Sequence, residues 1–151
     1  PLLFHLARYD DSIGELTLML QKEVVDRMTA APARAEYGRL SVMLQARFAI
    51  TRLFVVPAGA FQPAPKVESA VVRLVPLRER RPVIRDEALF ARVVAAAFAQ
   101  RRKTLRNALS AVADVAALQG AGIDPGVRGE TLAVDDFVRL ANTLAAADAR
   151  S

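Results

Sequence analysis

The chain has 151 residues and a mass of 16.4 kDa, enough for one medium domain or two small ones. Apolar residues make up 53%, which argues for a packed core rather than disorder; with no cysteine and one histidine, a disulfide scaffold, a thiolate metal site, a cysteine nucleophile and paired-histidine chemistry are all excluded. The 21 Lys plus Arg outnumber the 16 Asp plus Glu, for a net charge of +5 and a pI of about 10.4, and no run approaches the ~18 consecutive apolar residues of a membrane helix.

Residues 2–7 (Leu-Leu-Phe-His-Leu-Ala) read as an apolar helix ended by Asp10, Asp11 and Ser12. Residues 16–21 form a short apolar run after Gly14 and read as a buried strand. Residues 22–28 read as helix, and Pro32 with its small neighbours as a loop. A further helix opens at Tyr37-Gly38-Arg39 and runs toward Ala49, offering Val42, Leu44 and Phe48 to the core. Residues 52–56 read as a strand stopped by Pro57, and residues 69–75 as another stopped by Pro76. Pro57, Pro63 and Pro65 stiffen the loop between them. That loop contains no helix for a parallel crossover, so these two strands are expected to be antiparallel neighbours. Three strands are few for an independent α/β domain, and the segment reads as half of one.

Residues 77–86 read as a charged linker. From Glu87 the pattern is helical, with Leu89, Phe90, Val93, Val94, Ala97 and Phe98 on one face. Continuing that helix would carry Arg101 into the apolar stripe, so a break is expected between Gln100 and Thr104, with Thr104 as N-cap of a helix bearing Leu105, Ala108, Leu109 and Val112. Asp124-Pro125-Gly126 reads as a turn, and residues 134–147 as a last helix with Phe137, Leu140, Ala141 and Leu144 inward. The organisation expected is therefore 1–76, a linker over 77–86, and a helical part over 87–151.

The charge is unevenly placed. Residues 1–76 carry nine bases and seven acids, residues 77–106 nine and three, and residues 107–151 three and six. Eighteen of the 21 bases are arginine, whose planar fork of donors suits phosphates and whose face stacks on bases. The run 101–107 (Arg-Arg-Lys-Thr-Leu-Arg-Asn) puts Arg101, Arg102, Lys103 and Arg106 beside the expected helix break, where they could form one phosphate-binding patch. A solvated helix face is the plainer alternative. Gly120-Ala121-Gly122 lacks the preceding strand of a dinucleotide-binding turn and reads as a helix-to-helix loop. His5 reads as a packed or surface histidine, and no metal site is expected. In Phe61-Gln62-Pro63-Ala64-Pro65-Lys66-Val67-Glu68-Ser69 the prolines hold an aromatic ring in a rigid setting. Phe61 is either pinned into the core or a platform for a base taken out of its stack.

Taken together, residues 20–24, 37–42, 61–72, 97–107 and 122–125 resemble, in order and spacing, the C-terminal half of the bacterial small-subunit ribosomal RNA adenine dimethyltransferase family, and the likeness covers essentially the whole chain. It implies an α/β fold: the C-terminal part of a Rossmann-like, S-adenosylmethionine-dependent methyltransferase sheet followed by a small all-α, rRNA-binding domain. It implies dimethylation of two adjacent adenosines near the 3′ end of small-subunit rRNA, a role in ribosome assembly, a monomer whose partners are the small ribosomal subunit and its rRNA, no membrane, and a cytoplasmic location. On this likeness Phe61 stacks on the flipped adenine, Pro63, Pro65 and Lys66 shape that wall, Arg101, Arg102, Lys103 and Arg106 contact the rRNA backbone, and Arg39 and Arg128 are weaker candidates.

One departure matters. In the family the glycine-rich cofactor loop, the acidic residues that hold ribose and adenine, and the Asn-Leu-Pro-Tyr motif lie upstream, and Pro1 corresponds to a proline just after that motif. The chain begins without methionine and reads as a processed or truncated piece, expected to hold no S-adenosylmethionine site and to be inactive alone. An adenine amine is a poor nucleophile because its lone pair is delocalised into the ring, so the upstream acceptors must localise that pair and the methyl group must be held in line. A smaller departure is Ala133, where relatives often carry a capping Ser or Thr. The alternatives are a non-catalytic rRNA-binding fragment and the macrolide-resistance type of large-subunit rRNA methyltransferase. The run 100–104 and the turn 122–125 argue against the latter.

Overall fold

A computed structural model describes residues 2–151; Pro1 and its place in the likeness lie outside the described residues. The elements are α1 (Leu2–Ala7), β1 (Leu16–Gln21), α2 (Lys22–Thr29), α3 (Arg39–Gln45), β2 (Phe48–Val56), β3 (Ser69–Pro76), α4 (Glu87–Ala99), α5 (Leu105–Ala108), α6 (Val115–Gly120) and α7 (Val134–Asp148).

The three strands form one sheet in the order β1-β3-β2, and both pairings are antiparallel, as expected for the last two. One face of β3 is closed: Ala70, Val72 and Leu74 alternate inward against Val25 and Met28 of α2 and Leu44 of α3. The other face is open. Met19, Val71 and Phe54 stand opposite one another across the three strands, with Met19 53% and Phe54 56% exposed.

The helix opening at Tyr37 ends earlier than its pattern predicts. α3 stops at Gln45, and Phe48 is buried as the first residue of β2 rather than on a helix. The strand signal is masked because Ala49 and Thr51 flank the inward Phe48 and Ile50 without strong contrast. Backbone bonding decides the matter: Leu77 N–H donates to the Arg47 carbonyl at 2.9 Å, continuing the β2–β3 ladder backward.

A second core lies among the helices, where Phe90, Val93 and Val94 of α4 pack with Phe137 and Leu140 of α7 and with Leu105 and Leu109. Tyr37, Val42 and Ala46 from the sheet side join this second core, while Leu44 of the same helix joins the first. The break after α4 occurs where the charge of Arg101 requires it, with α4 ending at Ala99. Thr104 occupies the N-cap position of α5, but its hydroxyl makes no capping bond. Helix α6, absent from the sequence reading, is started by Asp114, whose carboxylate accepts the Ala117 N–H at 2.8 Å.

The 120–122 glycines are a helix stop. Ile123 N–H reaches the Leu118 carbonyl at 2.9 Å and Gly122 N–H the Gln119 carbonyl at 2.9 Å, a Schellman closure that needs the positive φ of 73° seen at Gly122.

A ring of four charges ties the two cores together. Arg81 donates to both oxygens of Asp10, at 2.9 and 3.2 Å, and to Glu87 at 2.9 Å; Arg47 reaches Glu87 at 2.8 Å and Asp10 at 3.6 Å. The Asp10 side chain is 4% exposed and that of Arg47 13%. The 77–86 segment is therefore anchored at Arg81 rather than free.

Candidate nucleic-acid interface

Two segments remote in sequence meet beside the α4–α5 break. Thr104 and Arg128 form an antiparallel bridge, and Leu105 N–H donates to the Val127 carbonyl at 2.8 Å. Arg106 N–H donates to the Pro125 carbonyl at 3.0 Å. This pairing sets Arg128 alongside the 101–106 run, a neighbour that no local pattern places there. Arg102, Lys103, Arg106 and Arg128 are all exposed, and among the described residues none of them is in an ion pair. Four unneutralised cations on adjoining strips of backbone are an electrostatic footprint for a polyanion.

Arg101 differs from its neighbours. Its Nη1 donates to the Tyr37 carbonyl at 2.9 Å and its Nη2 to Glu130 at 3.0 Å, partners 64 and 29 residues away. The approach is tight. A Cβ on Gly129 would lie 3.1 Å from both the Cβ and the carbonyl oxygen of Ala97, so the turn bearing Glu130 closes on α4 at less than ordinary van der Waals contact for a side chain there. Tyr37 is itself buried. Its hydroxyl donates to the Leu132 carbonyl at 2.7 Å, and burial, aided by the Asp136 charge, raises its pKa well above the usual tyrosine value. Neither Glu130 nor Tyr37 is recognisable from sequence as a partner of Arg101, because separations of that length leave no periodic trace.

Arg39 is the first residue of α3, with its guanidinium 5.0 Å from the centre of the Phe4 ring. It shares a cleft of about 320 Å³ with Arg27, Glu36, Phe98 and Arg101. Phe61 and Lys66 lie elsewhere, on the loop between β2 and β3, in which the Gln62–Pro63 peptide is cis. Phe61 is half-buried and belongs to neither core, while Lys66 is exposed beside a cleft with Lys22, Asp26 and Glu68. The structure thus gathers Arg102, Lys103, Arg106 and Arg128 and sets Arg39 next to Arg101, while the cleft beside Lys66 shares Glu36 with the cleft of Arg39 and Arg101. His5 is exposed and tilts against Tyr9 at 5.2 Å.

No strand among the described residues runs through a glycine-rich turn into a helix. The described residues do not fit a nucleotide-type methyl donor. No helix is long and apolar enough to cross a membrane among the described residues.

The family described as ribosomal RNA adenine dimethylase matches residues 1–146. A ribosomal RNA small subunit methyltransferase A of Aromatoleum aromaticum is 58% identical over 151 residues, covering 100% of this chain and 57% of that protein. The protein of the same name from Chromobacterium violaceum is 58% identical over 144 residues, covering 95% of this chain and 55% of its own length. The chain thus spans little more than half of the curated relatives it matches. Among solved structures, a dimethyladenosine transferase from Plasmodium falciparum superposes with a TM-score of 0.75 at 21% identity, over 90% of this chain and 60% of that one. The 23S rRNA methyltransferase ErmE superposes at 0.57 with 26% identity, over 88% of this chain and 55% of that one. These likenesses agree with the expected fold class, a mixed α/β part of a methyltransferase followed by helices.

Proposed function

The chain belongs to the ribosomal RNA adenine dimethylase family, and from that premise we propose that it is the C-terminal part of an S-adenosylmethionine-dependent enzyme that dimethylates two adjacent adenosines near the 3′ end of small-subunit rRNA during ribosome assembly. In this reading residues 1–76 complete the methyltransferase sheet, residues 77–86 connect, and residues 87–151 grip rRNA. The protein works as a cytoplasmic monomer on the small ribosomal subunit. The methyl donor is held by residues outside this chain, so the chain alone binds rRNA and transfers nothing.

The observation that carries the reading is the meeting of Arg102, Lys103, Arg106 and Arg128 on one exposed strip with no carboxylate partner among the described residues. Backbone phosphates neutralise such a strip without reading sequence, which leaves the choice of target to the shape of the RNA and to the flipped base. Phe61 is half-buried, outside both cores and flanked by prolines, which suits a stacking platform; a base on an aromatic ring gains about 1–3 kcal/mol. The open apolar face at Met19, Val71 and Phe54 suits a sheet that packs against further chain.

The test has two arms. Changing Arg102, Lys103 and Arg106 together to alanine is expected to reduce the slope of log affinity against log salt for small-subunit rRNA by about 2–3, at slightly under one per phosphate contact. An unchanged slope refutes the interface. In the longer protein, Phe61→Ala is expected to abolish most methyl transfer to small subunits while leaving the unfolding midpoint nearly unchanged. Strong destabilisation would make Phe61 a core residue instead.

A further inference from the structure

The basic strip meets a third segment, from the first half of the chain. Ala33 N–H donates to the Glu130 carbonyl at 2.7 Å, two residues beyond Arg128. Ala33 has a φ of 70°, a left-handed conformation that a residue with a Cβ adopts rarely and keeps only where its surroundings hold it. The residue held out beside that junction is Arg34. It is exposed and in no ion pair among the described residues. Of the nearby carboxylates, Glu130 is taken up by Arg101, and Glu36 lies in the cleft with Arg27 and Arg39.

The same loop is fixed at its other end through Tyr37, by the hydroxyl bond to Leu132 and by the Arg101 guanidinium on the Tyr37 carbonyl. Arg101 therefore commits two of its five N–H donors, one on each terminal nitrogen, to holding residues 33–37 against residues 129–132. We propose that Arg34 is a further phosphate contact of the rRNA-binding face, and that Arg101 is a positioning residue which holds the Arg34 loop against the strip. The inference rests on the rRNA-binding reading above. It makes the interface composite: phosphates are gripped by both halves of the chain at once, and the Arg101 strut keeps the two grips in register.

The experiment measures binding of the chain to small-subunit rRNA across a range of salt concentrations, for wild type, Arg34→Ala, Arg102→Ala, Arg101→Ala and the Arg34→Ala/Arg101→Ala double variant. Arg34→Ala is expected to lower the salt slope by about one, as Arg102→Ala does. Arg101→Ala is expected to lower it by a similar amount, and the double variant by no more than either single change, because the loop that presents Arg34 has already been released. A double variant that loses about two overturns the positioning role and makes Arg101 a direct contact. If Arg102→Ala lowers the slope and Arg34→Ala does not, the Arg34 contact is overturned while the rRNA-binding reading stands. If neither changes it, the rRNA-binding reading itself fails. Should Arg101→Ala not fold, Glu130→Gln weakens the same strut while keeping the arginine. In that background the effect of Arg34→Ala should shrink, and an undiminished effect overturns the positioning role.

Discussion

Asp10→Asn is expected to destabilise the chain markedly. The carboxylate is almost completely enclosed, with a side chain 4% exposed, and it accepts two bonds from Arg81 while facing Arg47 at 3.6 Å. An asparagine of the same shape keeps one acceptor but turns an amide toward a guanidinium and removes the charge. Removing one partner of a buried pair costs about 3–5 kcal/mol, because the other charge is left in a poorly solvated place. Here both arginines keep Glu87, at 2.8 and 2.9 Å, and the Arg81 side chain is 24% exposed. That relief places the loss at about 2–3 kcal/mol, below the full buried-pair figure. For a chain of this size each kcal/mol lowers the midpoint by roughly 2–4 °C, so thermal unfolding should come about 4–12 °C earlier.

Urea unfolding measures the same quantity, and the m-value should not change because the folded shape does not. The difference should persist in concentrated salt, since an enclosed pair is poorly screened. A loss below about 0.5 kcal/mol, or one that disappears with salt, is what an exposed pair gives and would refute the clasp as an enclosed device.

Tyr37→Phe should cost about 1–3 kcal/mol by leaving the Leu132 carbonyl unbonded in the interior, measured by urea unfolding. The raised Tyr37 pKa also has a pH signature. In the folded chain the phenol stays protonated where the unfolded chain ionises, so its contribution is complete below the ordinary tyrosine pKa of 10.0 and is lost as pH climbs above it. The wild type should therefore lose stability above about pH 10 more steeply than Tyr37→Phe, and parallel curves would contradict the assignment. Ala133→Ser should stabilise the chain by about 0.5–1 kcal/mol, because residue 133 already has the extended backbone of an N-cap while only the Asp136 carboxylate, at 2.9 Å, serves that end of α7.

How much of this was legible beforehand depended on where each signal resides. β1 matches its expected span because Gly14 and a short apolar run bound it in sequence. The break at residues 100–104 was legible because a charge would otherwise enter an apolar stripe, an argument that needs only the helical period. The start of β2 was not, since Phe48 suits either the end of α3 or a strand, and the choice is made by a hydrogen bond to Leu77 that no local window contains. α6 leaves no apolar stripe to read, since Leu118 is the one buried residue of its six, and its one clear sign is the cap at Asp114. The charge ring was invisible, as Asp10, Arg47, Arg81 and Glu87 look like four ordinary surface ions until the fold closes them together.

The arginines carry the same lesson into function. Charge counting picks out the segment 77–106, but it gives every arginine there equal standing. The fold then divides them. Arg81 is consumed by the clasp between the two cores, and Arg101 by the strut to Tyr37 and Glu130. Arg102, Lys103 and Arg106 are in no ion pair among the described residues, and they gain Arg128 from a segment whose own balance is acidic. A planar guanidinium serves both purposes, because carbonyl and carboxylate oxygens inside a protein present the same acceptors as phosphate oxygens outside it. Whether an arginine is strut or grip is therefore settled by whether the fold supplies the acceptor first. That criterion separates Arg101 from Arg102, two residues adjacent in sequence and chemically identical.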